Sequence, residues 1–347
     1  MQLVIGIDIG TTNCKAVIIN TVGGILREVR VGYEEEDSSS ATEQNATIVF
    51  NAVMLVLKKA IIFCQSEGQL SAISFSAAMH SILMVDELGN SLTPAITWAD
   101  SRSEEQARQL KAKPESVIIY KQTGTPIHPM SPLCKIIWWK ENELALFNSA
   151  HKFISLKEYI WFKLFGIFEV DHSIASATGL FDIYSLAWCA EAMEQAGLKA
   201  HQLSTPVNTL HKAFLQNETL CRELNIDNSI PFYIGGSDGC MANLGTGVLS
   251  AGTATITIGT SGAVRTTVSQ PIYDKDHRLF NYIMKDDLFI TGGPINNGGI
   301  ILQWFASNIL KESFKSDTGL EWVDVMANRV SAGAERLIFL QIGRAHV

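Results

Sequence analysis

The chain has 347 residues, with 27 Lys plus Arg against 35 Asp plus Glu and a formal net charge of −8. Its 47% apolar fraction excludes a disordered chain, which could not offset its conformational entropy. The acidic balance argues against a general nucleic-acid binder, which needs a basic face, and the length suggests about two domains.

No basic stretch precedes the first apolar run at Leu3, so no secretory signal is read. That run, Leu3-Val-Ile-Gly-Ile-Asp-Ile-Gly, predicts a strand. A polar turn, Thr-Thr-Asn-Cys, leads to a second strand from Lys15, and Gly23-Gly24 turns into a third over residues 25–31. Three strands in a meander differ from the strand–helix alternation of a dinucleotide-binding fold. An acidic, Ser-rich loop follows over residues 34–40. Ser40 and Glu43 have capping-box spacing, which predicts a helix start there. The helix would carry Ile48, Val49, Ala52, Val53, Val56, Ala60 and Ile61 on one face. Residues 48–64 are the longest apolar region, but Asn51, Lys58 and Lys59 make it a poor membrane span.

A buried strand is expected over residues 70–75, then a hairpin with Gly89-Asn90 at its turn. Residues 103–165 read as mainly helical, with Pro126, Pro129 and Pro132 marking a loop. The Trp138-Trp139 pair reads as core. Pro231-Phe-Tyr-Ile-Gly-Gly-Ser-Asp238 reads as strand, loop, then helix. Near Gly252 a second strand–turn–strand unit begins, with Gly259-Thr-Ser-Gly262 as its turn. It copies the N-terminal hairpin in outline and suggests two related domains, divided near residues 246–252. The six cysteines are scattered, with no CxxC pair, and read as reduced thiols of a cytoplasmic protein.

The first turn has phosphate-binding chemistry. Gly10 lets the backbone approach a ligand. Thr11, Thr12 and Asn13 offer side-chain donors, the turn offers backbone N–H groups, and Lys15 adds a cation. Asp8 could hold Mg²⁺ beside those phosphates. Taken alone, the segment reads equally well as a Gly-Thr hairpin with Asp8 forming the turn. The second turn, with Gly259, Thr260 and Ser261, repeats the donor set, so two turns could grip phosphates across a cleft. Neither a Gly-Lys dipeptide nor a G-x-G-x-x-G run occurs, so hairpins rather than a helix N-terminus must hold any nucleotide.

Three segments, in this order, resemble the FGGY family of carbohydrate kinases: Ile5-Gly-Ile-Asp-Ile-Gly-Thr-Thr-Asn-Cys-Lys15, Gly235-Gly-Ser-Asp-Gly239 and Gly259-Thr-Ser-Gly-Ala-Val264. The resemblance spans residues 2 to about 340. Finer detail resembles its gluconate kinase branch, close to xylulose kinases: Ser76-Ala-Ala-Met-His-Ser81, Thr97-Trp-Ala-Asp-Ser-Arg102, Ser176-Ala-Thr-Gly-Leu-Phe181 and Gly292-Gly-Pro-Ile-Asn-Asn-Gly-Gly299. It implies an α/β, actin-like (ribonuclease H-like) ATPase fold of two related domains with a cleft between them. Residues 1–248 would be the sugar-binding domain and 249–340 part of the nucleotide-side domain.

The resemblance also implies roles. Asp238 would be the catalytic base that takes the sugar hydroxyl proton as the hydroxyl attacks the γ-phosphate; its bland alternative is a helix N-cap. Met79 and His80 would bind the sugar. Trp98, Asp100 and Arg102 would form a second substrate wall. For a sugar acid such as gluconate, Arg102 is the candidate for its carboxylate, and pairing with Glu105 at a helix start is its alternative. Asn296 and Asn297 would line the nucleotide side, and a tight helix start is their equal alternative. ATP and Mg²⁺ are the implied cofactors. The expected reaction is phosphorylation of gluconate to 6-phosphogluconate, with xylulose or another polyol as alternative acceptor and a non-catalytic actin/Hsp70-like ATP-binding protein or an inactive fragment as the contrasting class. No nucleic-acid or membrane partner is expected, and a homodimer stays open.

The end of the chain departs from the family. Residues 341–347 read as a non-native tail, because the codons that would spell residues 342–347 match a common sequencing-adapter read-through. About 95 residues after Gly252 are too few for the family's second domain. The chain as it stands is therefore expected to turn over gluconate and ATP below the roughly 1–100 s⁻¹ ordinary for kinases, which a steady-state assay checks.

Overall fold

The computed structural model describes residues 1–33, 42–258, 262–285, 287–295, 298–309 and 325–337. Alternation sets the first sheet. Strand β1 (Gln2–Ile9) turns Leu3, Ile5, Ile7 and Ile9 inward, where all four are buried. β2 (Asn13–Asn20) and β3 (Ile25–Gly32) continue it as the expected antiparallel meander.

The expected helix start moves. Ser40 lies outside the described residues, and Glu43 sits in a two-residue strand, Glu43–Gln44. Helix α1 (Ala46–Glu67) is capped instead by Asn45, whose side chain accepts from the Thr47 and Ile48 amides at 3.0 and 3.2 Å. An N-cap acceptor must stand immediately before the first helical residue, and Asn45 does. By length and composition α1 could cross a membrane. Here its apolar face, including Val49, Val53, Val56, Ala60 and Ile61, is buried in the core against the sheet.

β4 (Gln69–Ala77) pairs parallel to β1, and β5 (Phe232–Ser237) parallel to β4. Together with an edge strand at Lys212–Ala213, the spatial order is edge, β5, β4, β1, β2, β3. The expected hairpin at Gly89-Asn90 is a tight turn closed by the Asp86 and Asn90 backbones. A largely helical stretch lies between β4 and β5. Within it, Pro132 does not mark a loop but opens helix α2 (Pro132–Asn142), where a missing N–H costs nothing. Helix α3 (Leu156–Phe165) starts with a capping box of Ser155 and Glu158.

Four antiparallel strands form the second sheet: β6 (Ala254–Ile258), β7 (Gly262–Val268), β8 (Phe280–Lys285) and β9 (Leu288–Ile295), ordered β6, β7, β9, β8. β6 and β7 are the expected second hairpin; its turn, residues 259–261, lies outside the described residues, as do Asn296, Asn297 and residues 341–347. The sheets are joined by a shared core. Phe280, Tyr282, Ile283, Phe289 and Ile290 pack with Met79, Ile174, Phe181 and Cys240.

β5 passes directly into helix α4 (Asp238–Gly245), with no loop between them. Gly235 makes this elbow. It has φ +65°, and a Cβ there would stand 1.9 Å from the Phe75 carbonyl oxygen of β4. The strand register shifts at this point. A bulge re-aims whatever follows, and here Ser237 and Asp238 follow.

A buried ion pair locks the elbow. Lys157 Nζ, from α3, donates to Asp171 Oδ2 at 2.7 Å and to the Gly236 carbonyl at 3.0 Å. The other oxygen, Asp171 Oδ1, accepts from the Ser173 and Ile174 amides and the Ser173 hydroxyl. Ser173 Oγ in turn accepts from the Ser237 amide at 2.7 Å. Burial lowers the Lys157 pKa, against the pull of Asp171. Breaking such a pair strands a buried charge. Lys157→Met is expected to cost about 3–5 kcal/mol in urea unfolding. Adding Asp171→Asn, which keeps the capping oxygen, should recover more than half.

Candidate active site

The first turn is held from behind. The Gly10 amide donates to the Asn13 carbonyl at 3.1 Å. The Gly10 carbonyl accepts from the Tyr33 hydroxyl at 3.0 Å, and the Thr11 carbonyl from Gln44 Nε2 at 2.8 Å. Thr11 and Thr12 are exposed, and among the described residues no acceptor takes their amides. Carbonyls tied back and amides left without a protein acceptor among the described residues suit an anion-binding surface. Asp8 and Lys15 face each other across β1 and β2. Burial raises the Asp8 pKa, while Ser76 and Lys15 pull it back. Lys15 also reaches Glu28 at 3.8 Å.

Asp238 stands at the first position of α4. Ser237, not Asp238, is the N-cap, accepting from the Cys240 amide at 3.4 Å. The Asp238 carboxylate is thus released from capping, and the residue is exposed. Its carboxylate reaches water but is closely flanked by protein. This desolvation pushes its pKa up to about 6, against Arg265 and the Gly239 amide; Asp8 raises it further.

Met79 and His80 follow the end of β4, both buried. His80 takes φ +66°, costly for a residue with a Cβ. Its Nε2 meets the Tyr282 hydroxyl of β8 at 3.2 Å. Nδ1 is buried without a hydrogen bond of good geometry, though the Ala177 backbone is near enough to favour the protonated ring slightly. Burial, with help from the Lys135 charge, drops the His80 pKa to about 3, so the ring is neutral. The strained backbone is held by Lys135. This fully buried ammonium donates to the carbonyls of His80, Thr97 and Met130 at 3.1, 2.6 and 2.9 Å. Its three donors match three carbonyls, while burial lowers its pKa to about 7.

Trp98 lines a small cleft together with Gly10, Thr11, Gln44 and Met79, so the phosphate turn and this wall adjoin. Asp100 and Arg102 behave differently from expectation. Arg102 donates to both Asp100 oxygens at 2.9 Å, binds Glu43, and lies over the Trp138 ring at 5.2 Å. Asp100 also accepts from Thr42 at 3.0 Å. Burial would raise the Asp100 pKa, but Arg102's hydrogen bonds and charge hold it below the ordinary range. Glu105 pairs with Arg108 instead. The guanidinium fork is already filled by two carboxylates, which disfavours Arg102 as a ligand for a third. Gly259, Thr260 and Ser261 lie outside the described residues.

The model of the FGGY family of carbohydrate kinases, N-terminal domain, matches residues 3–245. The chain belongs to the FGGY family of carbohydrate kinases. It is 40% identical over 342 residues to the gluconokinase of Bacillus subtilis (strain 168), covering 96% of this chain and 66% of that protein. The chain therefore spans about two thirds of that relative's length. The crystal structure of gluconate kinase from Lactobacillus acidophilus superposes with a TM-score of 0.88 at 32% identity, over 98% of this chain and 68% of that one. Ligand-bound xylulose kinase from the same organism gives 0.88 at 31%, over the same shares. The expected actin-like ATPase fold is the fold of these FGGY neighbours.

Within this FGGY site, sequence reasoning missed Lys135, Tyr282 and Arg265. Lys135 sits in the apolar run of α2, and a lone lysine among Cys134, Ile136 and Ile137 was the available signal. Tyr282 and Arg265 come from the second sheet and carry no local mark. Asp238 has a folded pKa above its ordinary 3.8. Such a group favours folding most at low pH, and that contribution is lost as pH rises through about 6. Asp238→Asn escapes the loss. Its melting temperature is expected to exceed wild type at pH 8, with the gap closing toward pH 4.

Proposed function

We propose that the chain supplies the sugar side and the phosphate-gripping turns of an ATP-dependent kinase that phosphorylates a sugar acid, gluconate first. The observation that supports this reading is that Met79 lines a small cleft with Gly10, Thr11 and Trp98, while Gly239, the residue after Asp238, lies against the same Met79 side chain. The gluconokinase relative supports the substrate. A kinase needs a base at the acceptor hydroxyl, a sugar wall and a phosphate cradle within one transfer distance.

Asp238 would accept the proton of the attacking hydroxyl. A base poised near 6 is mostly ionised at neutral pH and still basic enough to take a proton. His80, held neutral, would present its imidazole to a sugar hydroxyl without adding charge. Met79 would pack on the carbon chain. The Thr11 and Thr12 amides and hydroxyls, with Lys15, would hold phosphate oxygens, and Gly259, Thr260 and Ser261 would face them. Asp8 fits a Mg²⁺ site: it lines the same turn, and this ion needs only one or two carboxylates beside phosphates and waters. When bound, Mg²⁺ would neutralise phosphate charge. Residues 1–248 would form the sugar-side domain and 249–340 the nucleotide side. A cytoplasmic setting suits the six free thiols.

Two measurements test this. Gluconate should raise the melting temperature more than xylulose, glycerol or ribulose does, in wild type and Asp238→Ala alike. Formation of 6-phosphogluconate from gluconate and Mg-ATP should fall by about 100- to 10,000-fold in Asp238→Ala, and in wild type it should rise with pH through about 6. Transfer retained by Asp238→Ala would remove the base assignment. A larger shift with xylulose would favour a xylulose kinase.

A further inference from the structure

Most cations around the cleft are already engaged. Arg102 is held by Asp100 and Glu43. Lys157 is paired with Asp171, and Lys135 is bound by three carbonyls. Lys15 lies within ion-pair reach of Glu28. Arg265 differs. Among the described residues it makes one hydrogen bond, Nη1 to the Thr257 hydroxyl at 3.0 Å, and no ion pair. That bond spans β7 to β6 and fixes one side of the guanidinium.

The position of Arg265 is set by Gly239, the residue after the base. A Cβ on Gly239 would lie 3.0 Å from Arg265 Nε and 2.8 Å from Met79 Cε. The missing Cβ lets the guanidinium and the Met79 thioether lie side by side against the first turn of α4. The charge of Arg265 acts on Asp238, His80 and Tyr282. Asp8, at the phosphate turn, answers to Lys15. Arg265 therefore stands beside the first turn of α4 that carries Asp238, next to Met79.

We propose that Arg265 binds the carboxylate of a sugar-acid substrate, presenting its Nε and Nη2 donors as a fork. A planar guanidinium with two parallel N–H groups matches a carboxylate in geometry and charge. A neutral polyol gains little from the same fork. The inference rests on the sugar-acid reading above and assigns its specificity to the second sheet rather than to the Trp98–Arg102 wall.

The test compares D-gluconate with D-glucitol, in which a CH₂OH group replaces the carboxylate, by calorimetric titration of the whole chain. Arg265→Met should weaken gluconate binding at least tenfold and leave glucitol within twofold. Arg265→Lys, which keeps the charge but not the fork, should fall between. Equal losses for both ligands would overturn the proposal, because a structural role predicts them. Unchanged gluconate binding in Arg265→Met would also overturn it while leaving the sugar-acid reading intact. Wild type that binds xylulose and not gluconate would remove both. If Arg265→Met does not fold, Arg265→Lys decides: a several-fold loss for gluconate alone supports the fork, and parity between the ligands refutes it.

Discussion

The buried Lys157–Asp171 pair is the constraint on which the site depends. Its ammonium also holds the Gly236 carbonyl, and its carboxylate reaches the Ser237 amide through Ser173. Two charges without water are expensive unless each is fully bonded. Here the carboxylate accepts on both oxygens and the ammonium donates to two acceptors, and these bonds reach the two residues before Asp238. The cost of burial is offset by a rigid elbow that fixes where the base stands. Gly235 completes it, because only a residue without a Cβ can pass so close to the Phe75 carbonyl.

A second buried ammonium organises the sugar wall. Lys135 ties the carbonyls of His80, Thr97 and Met130 to one point. It thereby holds His80 in a backbone conformation that its own Cβ disfavours. Burial keeps the imidazole neutral, and the nearby Lys135 charge adds to that by opposing protonation. Lys135 thus fixes the backbone position and reinforces the protonation state that burial sets. The wall is braced further by Arg102, whose bonds to Asp100 and Glu43 join residues 97–102 to the segment that carries Gln44. Gln44 in turn holds the Thr11 carbonyl of the phosphate turn.

Much of this was legible in the residues. The β1–β2–β3 meander followed from apolar runs separated by a polar turn after Gly10 and by Gly23-Gly24. The apolar face of α1 followed from its 3.6-residue period. Short-range rules were less secure where several polar residues competed. Ser40 and Glu43 matched a capping box, but Asn45 stood nearer the apolar run and took the cap. Pro132 matched a loop breaker, but proline at a first helical turn has no bond to lose. The Trp138-Trp139 pair is core as read: Trp139 is buried and Trp138 packs half-buried against the same core, with the Arg102 guanidinium over its ring.

By itself the sequence determined the donors and their order: a Gly-Thr turn after the first strand, a Met-His pair after the fourth, and an aspartate after Gly-Gly-Ser. These are local patterns, because a turn, a strand end and a helix start are each specified within a few residues. Only the tertiary structure decided how the charges are shared. Arg102 and Arg265 are alike as letters. One is closed by carboxylates two and 59 residues away in sequence, while the other is left with open donors beside Gly239. Which cation a neighbour neutralises depends on distances across sheets and helices, and no local pattern carries those distances.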